Sequence, residues 1–180
     1  MTGHSYVVGV RSSEPSGERA LPEHSGRPWE TLVDTLNSAI EAIVLLDPGR
    51  LTAAELLALY DGVRNSRDRL VSAASVVLGR IDSTGAAKDV AGISTGTWLS
   101  QQHGTSGWQA QRELRLASQL QEHERVRHAA CSGAISGEQA SAITRTLSRL
   151  PDQLSSAQRQ QAEAYLVQQA GSLSPNQITC

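Results

Sequence analysis

Five histidines, two cysteines and fifteen arginines are the residues of this chain best suited to chemistry, and their spacing decides what they could do. His123 and His128 stand five apart, flanked by Glu122 and Glu124. Two imidazoles on a helix share a metal ion when three or four residues separate them, so this pair reads as a solvated helix face. His4 and His24 are isolated, and His103 before Gly104 reads as a helix-terminal His favoured by the dipole. Cys131 follows Ala129 and Ala130 near the end of a helical stretch, whereas a reactive thiol is favoured at a helix N-terminus. It reads as a small buried hydrophobe. Cys180 is far away, and a reduced pair is the default. Gly92-Ile93-Ser94-Thr95-Gly96 lacks the Lys of a phosphate-cradling loop. No Ser-His-Asp order can be assigned. These residues predict no catalytic group, metal site, cofactor or small-molecule ligand.

The arginines leave more open. Residues 105–150 carry six Arg against four Glu, whereas residues 1–50 carry four basic and seven acidic groups. Within the first of these stretches, Glu122–Arg149 has the outline of a helix-turn-helix: a short helix, Gly133, and a second capped helix. Arg125 and Arg127 fall on the first helix. Arg145 and Arg149 are four apart on the second. A groove-reading helix wants basic and amide groups near its N-terminus, and here Glu138 would repel phosphate. Two readings follow: ordinary hairpin packing, or DNA contact through Arg112, Arg115, Arg125, Arg127, Arg145 and Arg149.

The elements that must position these groups are helical. Hydrophobic residues make up 39% of the 180, with no Phe. A core of Leu, Ile, Val and Ala suits closely packed helices better than a β-sandwich. Residues 1–27 lack periodicity and read as a disordered leader; the helical domain is expected over 28–180. Trp29, Leu32, Val33, Leu36, Ile40, Ile43 and Val44 recur at helical steps, ended by Asp47-Pro48-Gly49. Thr52 and Glu55 form a capping box that starts one long amphipathic helix, about 52–83. Its stripe is Leu56, Tyr60, Val63, Leu70, Ala74, Val77 and Ile81. That stripe reads as core against Leu32–Val44 or as a seam for self-association.

Residues 85–93 read as a Gly/Ala loop. A short helix around Thr97–Leu99 ends at Gly104. In the next helix, Ala110, Leu114, Ala117 and Leu120 form the buried stripe, and Trp108, Gln111, Arg112, Arg115 and Gln119 the other side. Further capping boxes begin at Ser136, Ser155 and Ser174. They start helices burying Ala140, Ile143, Leu147 and Leu150, then Ala162, Tyr165, Leu166 and Gln169. The fourth start lies close to the last residue, so the chain reads as truncated at its C-terminus.

Net charge is −2, and no apolar run approaches the ~20 residues that span a bilayer. The first residues lack a basic n-region followed by an apolar h-region. No membrane association is expected, and the location expected is cytoplasmic.

The order Trp98-Leu99, Ser106, Ala110, Leu114, Leu116-Ala117, Leu120, Gly133, Ile135-Ser136, Gln139-Ala140, Ile143 and Leu150-Pro151 resembles the actinobacterial domain of unknown function 222, the 13E12 repeat family. The preponderance of Arg over Lys agrees with a GC-rich actinobacterial source. The resemblance spans about residues 30–178. It implies a helical domain that usually precedes an HNH endonuclease module, and hence a link to DNA processing or mobile elements. An HNH site needs a general-base His, a second His or Asn, and metal ligands in a ββα element. No histidine here sits in such a pattern, and no Cys-x-x-Cys pair supports a zinc. The expectation is an all-α, mostly antiparallel multi-helix bundle acting as a non-catalytic accessory domain. The alternatives are a DNA-binding module and a dimerisation module acting through the long helix.

Overall fold

The computed structural model describes residues 27–171 and Gln177. The leader expected over 1–27 lies almost wholly outside the described residues, as does most of the segment opened by the capping box at Ser174. Contacts divide the chain into two units, 1–50 and 51–180.

In the first unit, α1 (Pro28–Val44) starts at a Pro in its first turn and is followed by a turn of 3-10 helix, Pro48–Arg50. Pro at the first helical position loses no hydrogen bond, because that N–H would have no partner in any case. None of its residues is buried.

The second unit consists of α2 (Ala53–Thr84), α3 (Ala86–Ala91), α4 (Thr95–His103), α5 (Gly107–Glu122), α6 (Glu124–Ser132), α7 (Gly137–Leu147) and α8 (Ser156–Ala170). There is no strand among the described residues, so the fold is all-α. The capping boxes at Thr52, Ser136 and Ser155 each close as the sequence predicts. At the first, the Glu55 carboxylate accepts from the Thr52 amide at 2.8 Å and its hydroxyl at 2.7 Å. Those hydrogen bonds hold the Glu55 carboxyl below the usual carboxylate range. The stretch 85–93, expected as a loop, instead winds into the six-residue α3. It fits between Gly85 and Gly92, both in the left-handed region with φ of 71° and 72°, which lets the chain reverse at either end.

Two clusters of buried residues share α5. Leu78, Leu99, Ala110 and Ala117 form one, with Trp98 and Leu114 against it. Leu120 joins Val126, Ala129, Ala130, Ile135, Ala140, Ala142, Ile143, Leu147 and Ala170 in the other. The expected stripes of α5 and α7 are therefore the buried ones, with Leu150 half-buried just beyond α7. Tyr165 of α8 departs from expectation and is exposed. Its neighbour on the inward side is Glu163. Cys131, expected as buried, is half-exposed.

The long helix buries a different face from the one its aliphatic residues mark. Leu56, Tyr60, Val63, Leu70 and Val77 are exposed, and the buried positions are Ser72, Ser75, Leu78 and Gly79. The reason is the closeness of α5. A Cβ built on Gly79 would lie 2.9 Å from the Ala117 carbonyl oxygen and 2.8 Å from Nε2 of Gln121. Bulky residues on this face would hold the two helices apart. The serines fit because their hydroxyls bond back to their own helix, Ser72 to the Asp68 carbonyl and Ser75 to the Val71 carbonyl, each at 2.9 Å. Neither is left unsatisfied by burial.

Short α6 is secured at both ends by other helices. His123, at its N-cap position, makes no capping bond. The buried carboxylate of Glu163, from α8, accepts instead from the amides of Arg125 at 2.8 Å and Val126 at 3.2 Å. At the other end, Nε of Arg69, from α2, donates to the Cys131 carbonyl at 3.3 Å. Acid at the N-terminus and base at the C-terminus both match the helix dipole. Gly133 ends α6 with φ of 81° and admits the side chains of Asn65 and Arg69, which a Cβ there would strike.

Two stability predictions follow from these contacts. Gly79→Ala gains about 1 kcal/mol of helix propensity but overpacks a backbone contact at a cost of about 1–3 kcal/mol. It should lower the urea midpoint. Gly62→Ala, in the same helix with open space around it, should raise it. Two variants shifting the same way would contradict the close α2–α5 approach. Glu163→Ala strands two amides and should cost about 2–4 kcal/mol, read by chemical denaturation. Glu163→Gln retains an acceptor and should lose about half as much.

Candidate nucleic-acid interface

The polar side of α5 carries Trp108, Arg112, Arg115 and Gln119 at steps of four, three and four residues, so they share one face of the helix. Ser141 and Arg145, four apart on α7, face them. Between these two rows lies a recess of about 410 Å³, lined also by Gln111 and Leu116. Its floor is tied by a bond across the helices: the buried Thr144 hydroxyl donates to Oε1 of Gln119 at 2.8 Å. Around it Trp108, Gln111, Arg112, Arg115 and Arg145 are exposed and Ser141 half-buried, so the walls belong to solvent while the floor belongs to the core.

Three guanidinium groups line this recess and no carboxylate does. Among the described residues no acid forms an ion pair with Arg112, Arg115 or Arg145. Arg145 is held along its own helix by Nε donating to the Ser141 carbonyl at 3.1 Å. The Arg112 guanidinium lies over the Trp108 ring, 5.8 Å from its centroid. A second recess, of about 430 Å³, shares Trp108, Arg112, Leu116 and Ser141 with the first and continues towards α2. Here the charge is mixed: Arg64 and Arg67 stand with Asp68, Glu113 and Glu138. Arg67 is bound to Asp68 at 2.8 Å, and that hydrogen bond and charge raise its pKa further.

The two recesses form a groove that gathers three of the six arginines singled out from the sequence, Arg112, Arg115 and Arg145. The other three lie elsewhere. Arg127 is half-buried, pairs with Glu124 at 3.6 Å and faces a separate hollow with His128 and Cys131. Arg125 is exposed and does not line the groove. Arg149 falls beyond the end of α7, so it does not share a helix face with Arg145 as its spacing suggested. The groove therefore runs between α5 and α7 and not along a helix-turn-helix of α6 and α7. Trp108 was missed as a site residue. The signal for it was the periodicity of the polar side of α5, which sequence reading used only to locate the buried stripe.

His103 occupies the last turn of α4, as expected, with its ring edge-on to Trp98 at 5.7 Å. No group of three or more His, Cys, Asp or Glu among the described residues could hold a metal ion. No described helix is long and apolar enough to cross a membrane.

A family model described as a domain of unknown function (DUF222) matches residues 57–180. The chain belongs to the DUF222 family. The match takes in all but the first turn of α2 and both walls of the groove. No curated protein and no solved structure matches the chain. The first recess of this DUF222 chain presents an exposed indole, three guanidinium groups without an ion-pair partner among the described residues, and two glutamine amides. Such a set offers positive charge, planar donors and a stacking surface.

Proposed function

We propose that this chain is a non-catalytic helical module that binds nucleic acid in the groove between α5 and α7. In the full protein it would position DNA for an HNH nuclease module, as the family resemblance implies. The observation that carries the reading is the convergence of Arg112, Arg115 and Arg145 on one recess without a carboxylate. Unpaired guanidinium groups in a concave site attract phosphate and match its geometry through bidentate bonds. The chain as a whole is slightly acidic, with net charge −2. Attraction to DNA must therefore be local to this groove and not a property of the entire surface.

Electrophoretic mobility shift and fluorescence anisotropy across a salt series test this. Three neutralised phosphates predict a slope near −2 for log K against log salt on a single strand. Arg112→Ala with Arg145→Ala should weaken binding about tenfold or more and flatten the slope by about 1.4. Absence of binding at low salt, or binding indifferent to both substitutions, would defeat the proposal.

A second reading is self-association through α2, and the exposed row Leu56, Tyr60, Val63 and Leu70 favours it. Analytical ultracentrifugation should then show dimer at high protein concentration and monomer for Tyr60→Glu with Leu70→Glu. Monomer throughout for the unaltered chain would dismiss it.

A further inference from the structure

We propose that the groove takes an unpaired strand, with a base stacked on Trp108 and the adjoining phosphates on Arg112, Arg115 and Arg145. This rests on the nucleic-acid reading above and specifies the form of nucleic acid.

Three features of the groove argue for it. The first is the position of Trp108. Its residue surface is 73% exposed, although an indole is the largest apolar group a core could use. It stands at the start of α5, whose N-cap Ser106 accepts from the Gln109 amide at 3.2 Å and fixes the first turn. Arg112 covers one side of the ring, 5.8 Å from its centroid. An aromatic ring braced by an arginine is the platform on which unpaired bases stack, whatever their sequence. In a duplex the base faces are already stacked on each other and cannot reach it.

The second feature is concavity. The arginines line a recess between two helices and not the crest of one. A volume of about 410 Å³ is that of a pocket for a small molecule. A phosphate and its sugar can enter such a space. A duplex, which presents its phosphates along a broad convex surface, would touch only the rim.

The third is the division of charge along the groove. Arg112, Arg115 and Arg145 meet no acid in their recess, whereas Asp68, Glu113 and Glu138 line the continuation past Trp108. Arg64 and Arg67 also stand there, so the charge of that continuation is mixed and net positive charge is confined to the first recess. Carboxylates and amides there can accept from, and donate to, the edges of a base, whose amino and ring N–H groups need acceptors. Trp108 and Arg112 border both recesses, which puts the stacking platform at the boundary between the phosphate end and the base end.

The test compares a labelled single-stranded 15-mer with its duplex at low salt, by anisotropy and by intrinsic tryptophan fluorescence. The single strand should bind at least tenfold tighter than the duplex and quench the fluorescence. Trp108→Leu should abolish the quenching and weaken single-strand binding on the order of tenfold, with little change for the duplex. Trp108→Phe keeps a ring and should retain most of the affinity. Because Trp108 is exposed, circular dichroism should show all variants folded. Duplex binding as tight as the single strand, with Trp108→Leu without effect and the Arg112 and Arg145 variants still weakened, overturns this inference and leaves the nucleic-acid reading standing. No binding of either form overturns both.

Discussion

A buried carboxylate organises this fold. Glu163 projects from α8 and accepts from the first amides of α6, which has no capping side chain of its own. Helices as short as α6, nine residues, do not persist alone, because the nucleation cost exceeds what so few internal hydrogen bonds return. Val126, Ala129 and Ala130 of α6 nevertheless belong to the larger core cluster. They can be there because the ends of the helix are satisfied from outside, by Glu163 at one and Arg69 at the other. The same device recurs where α7 meets α8. Nε2 of Gln139 donates to the carbonyl of Ala170 at 2.6 Å, while its Oε1 accepts from the Ser136 amide. The small aliphatic side chains of this core supply close contact, and side-chain bonds to helix termini supply the register between helices.

The α5–α7 groove is a consequence of that register. α5 turns Ala110, Ala117 and Leu120 inward, so Trp108, Arg112 and Arg115 must point away. α7 buries Ala140, Ile143, Thr144 and Leu147, which leaves Ser141 and Arg145 on its open flank. The bond from Thr144 to Gln119 joins the two helices at the bottom of the space between those flanks. Thr144 is fully buried, and its hydroxyl reaches both Oε1 of Gln119 at 2.8 Å and the Ser141 carbonyl at 3.2 Å, the shorter bond linking the two helices. The separation of the groove walls is thus set by the core and is available before any ligand arrives. Preorganisation of this kind lowers the ordering cost of binding.

Much of this architecture was legible in the residues. Ser or Thr followed three places later by Glu or Gln marked helix starts at Thr52, Ser136 and Ser155, because a capping box is a local interaction. The buried stripes of α5 and α7 were legible because Ala and Leu recur there against polar neighbours. The face of α2 was not, since periodicity weighs side-chain size, and its contact with α5 selects for smallness. Ser72, Ser75 and Gly79 carry that face at steps of three and four, a spacing that would have shown it had small residues been counted as core. Glu163 was legible in principle as well. Together with Leu166, Val167 and Ala170 it follows the inward phase of α8, and a lone acid in that phase needs donors. Which donors it finds, 37 and 38 residues earlier in the chain, is a tertiary fact. The same holds for the site. Nothing local separates Arg112, Arg115 and Arg145 from Arg125, Arg127 and Arg149, since the difference lies in which helix faces which.

Core and groove make different demands on the same two helices, and the partition between them is clean. Trp108, Arg112 and Arg115 are exposed, and none of them bonds to the buried clusters. An exposed guanidinium or indole contributes little to folding when its neighbours are solvent. Stability alone would tolerate Ala, Glu or Lys at these positions, and Glu or Lys would exclude an apolar patch more cheaply than Trp does. Three arginines without an acid between them also repel one another, which the folded state has to bear. Neither that repulsion nor the exposed indole adds to the packing of the two buried clusters. The proposed anionic ligand with a stacking face would offset the repulsion and cover the ring at once.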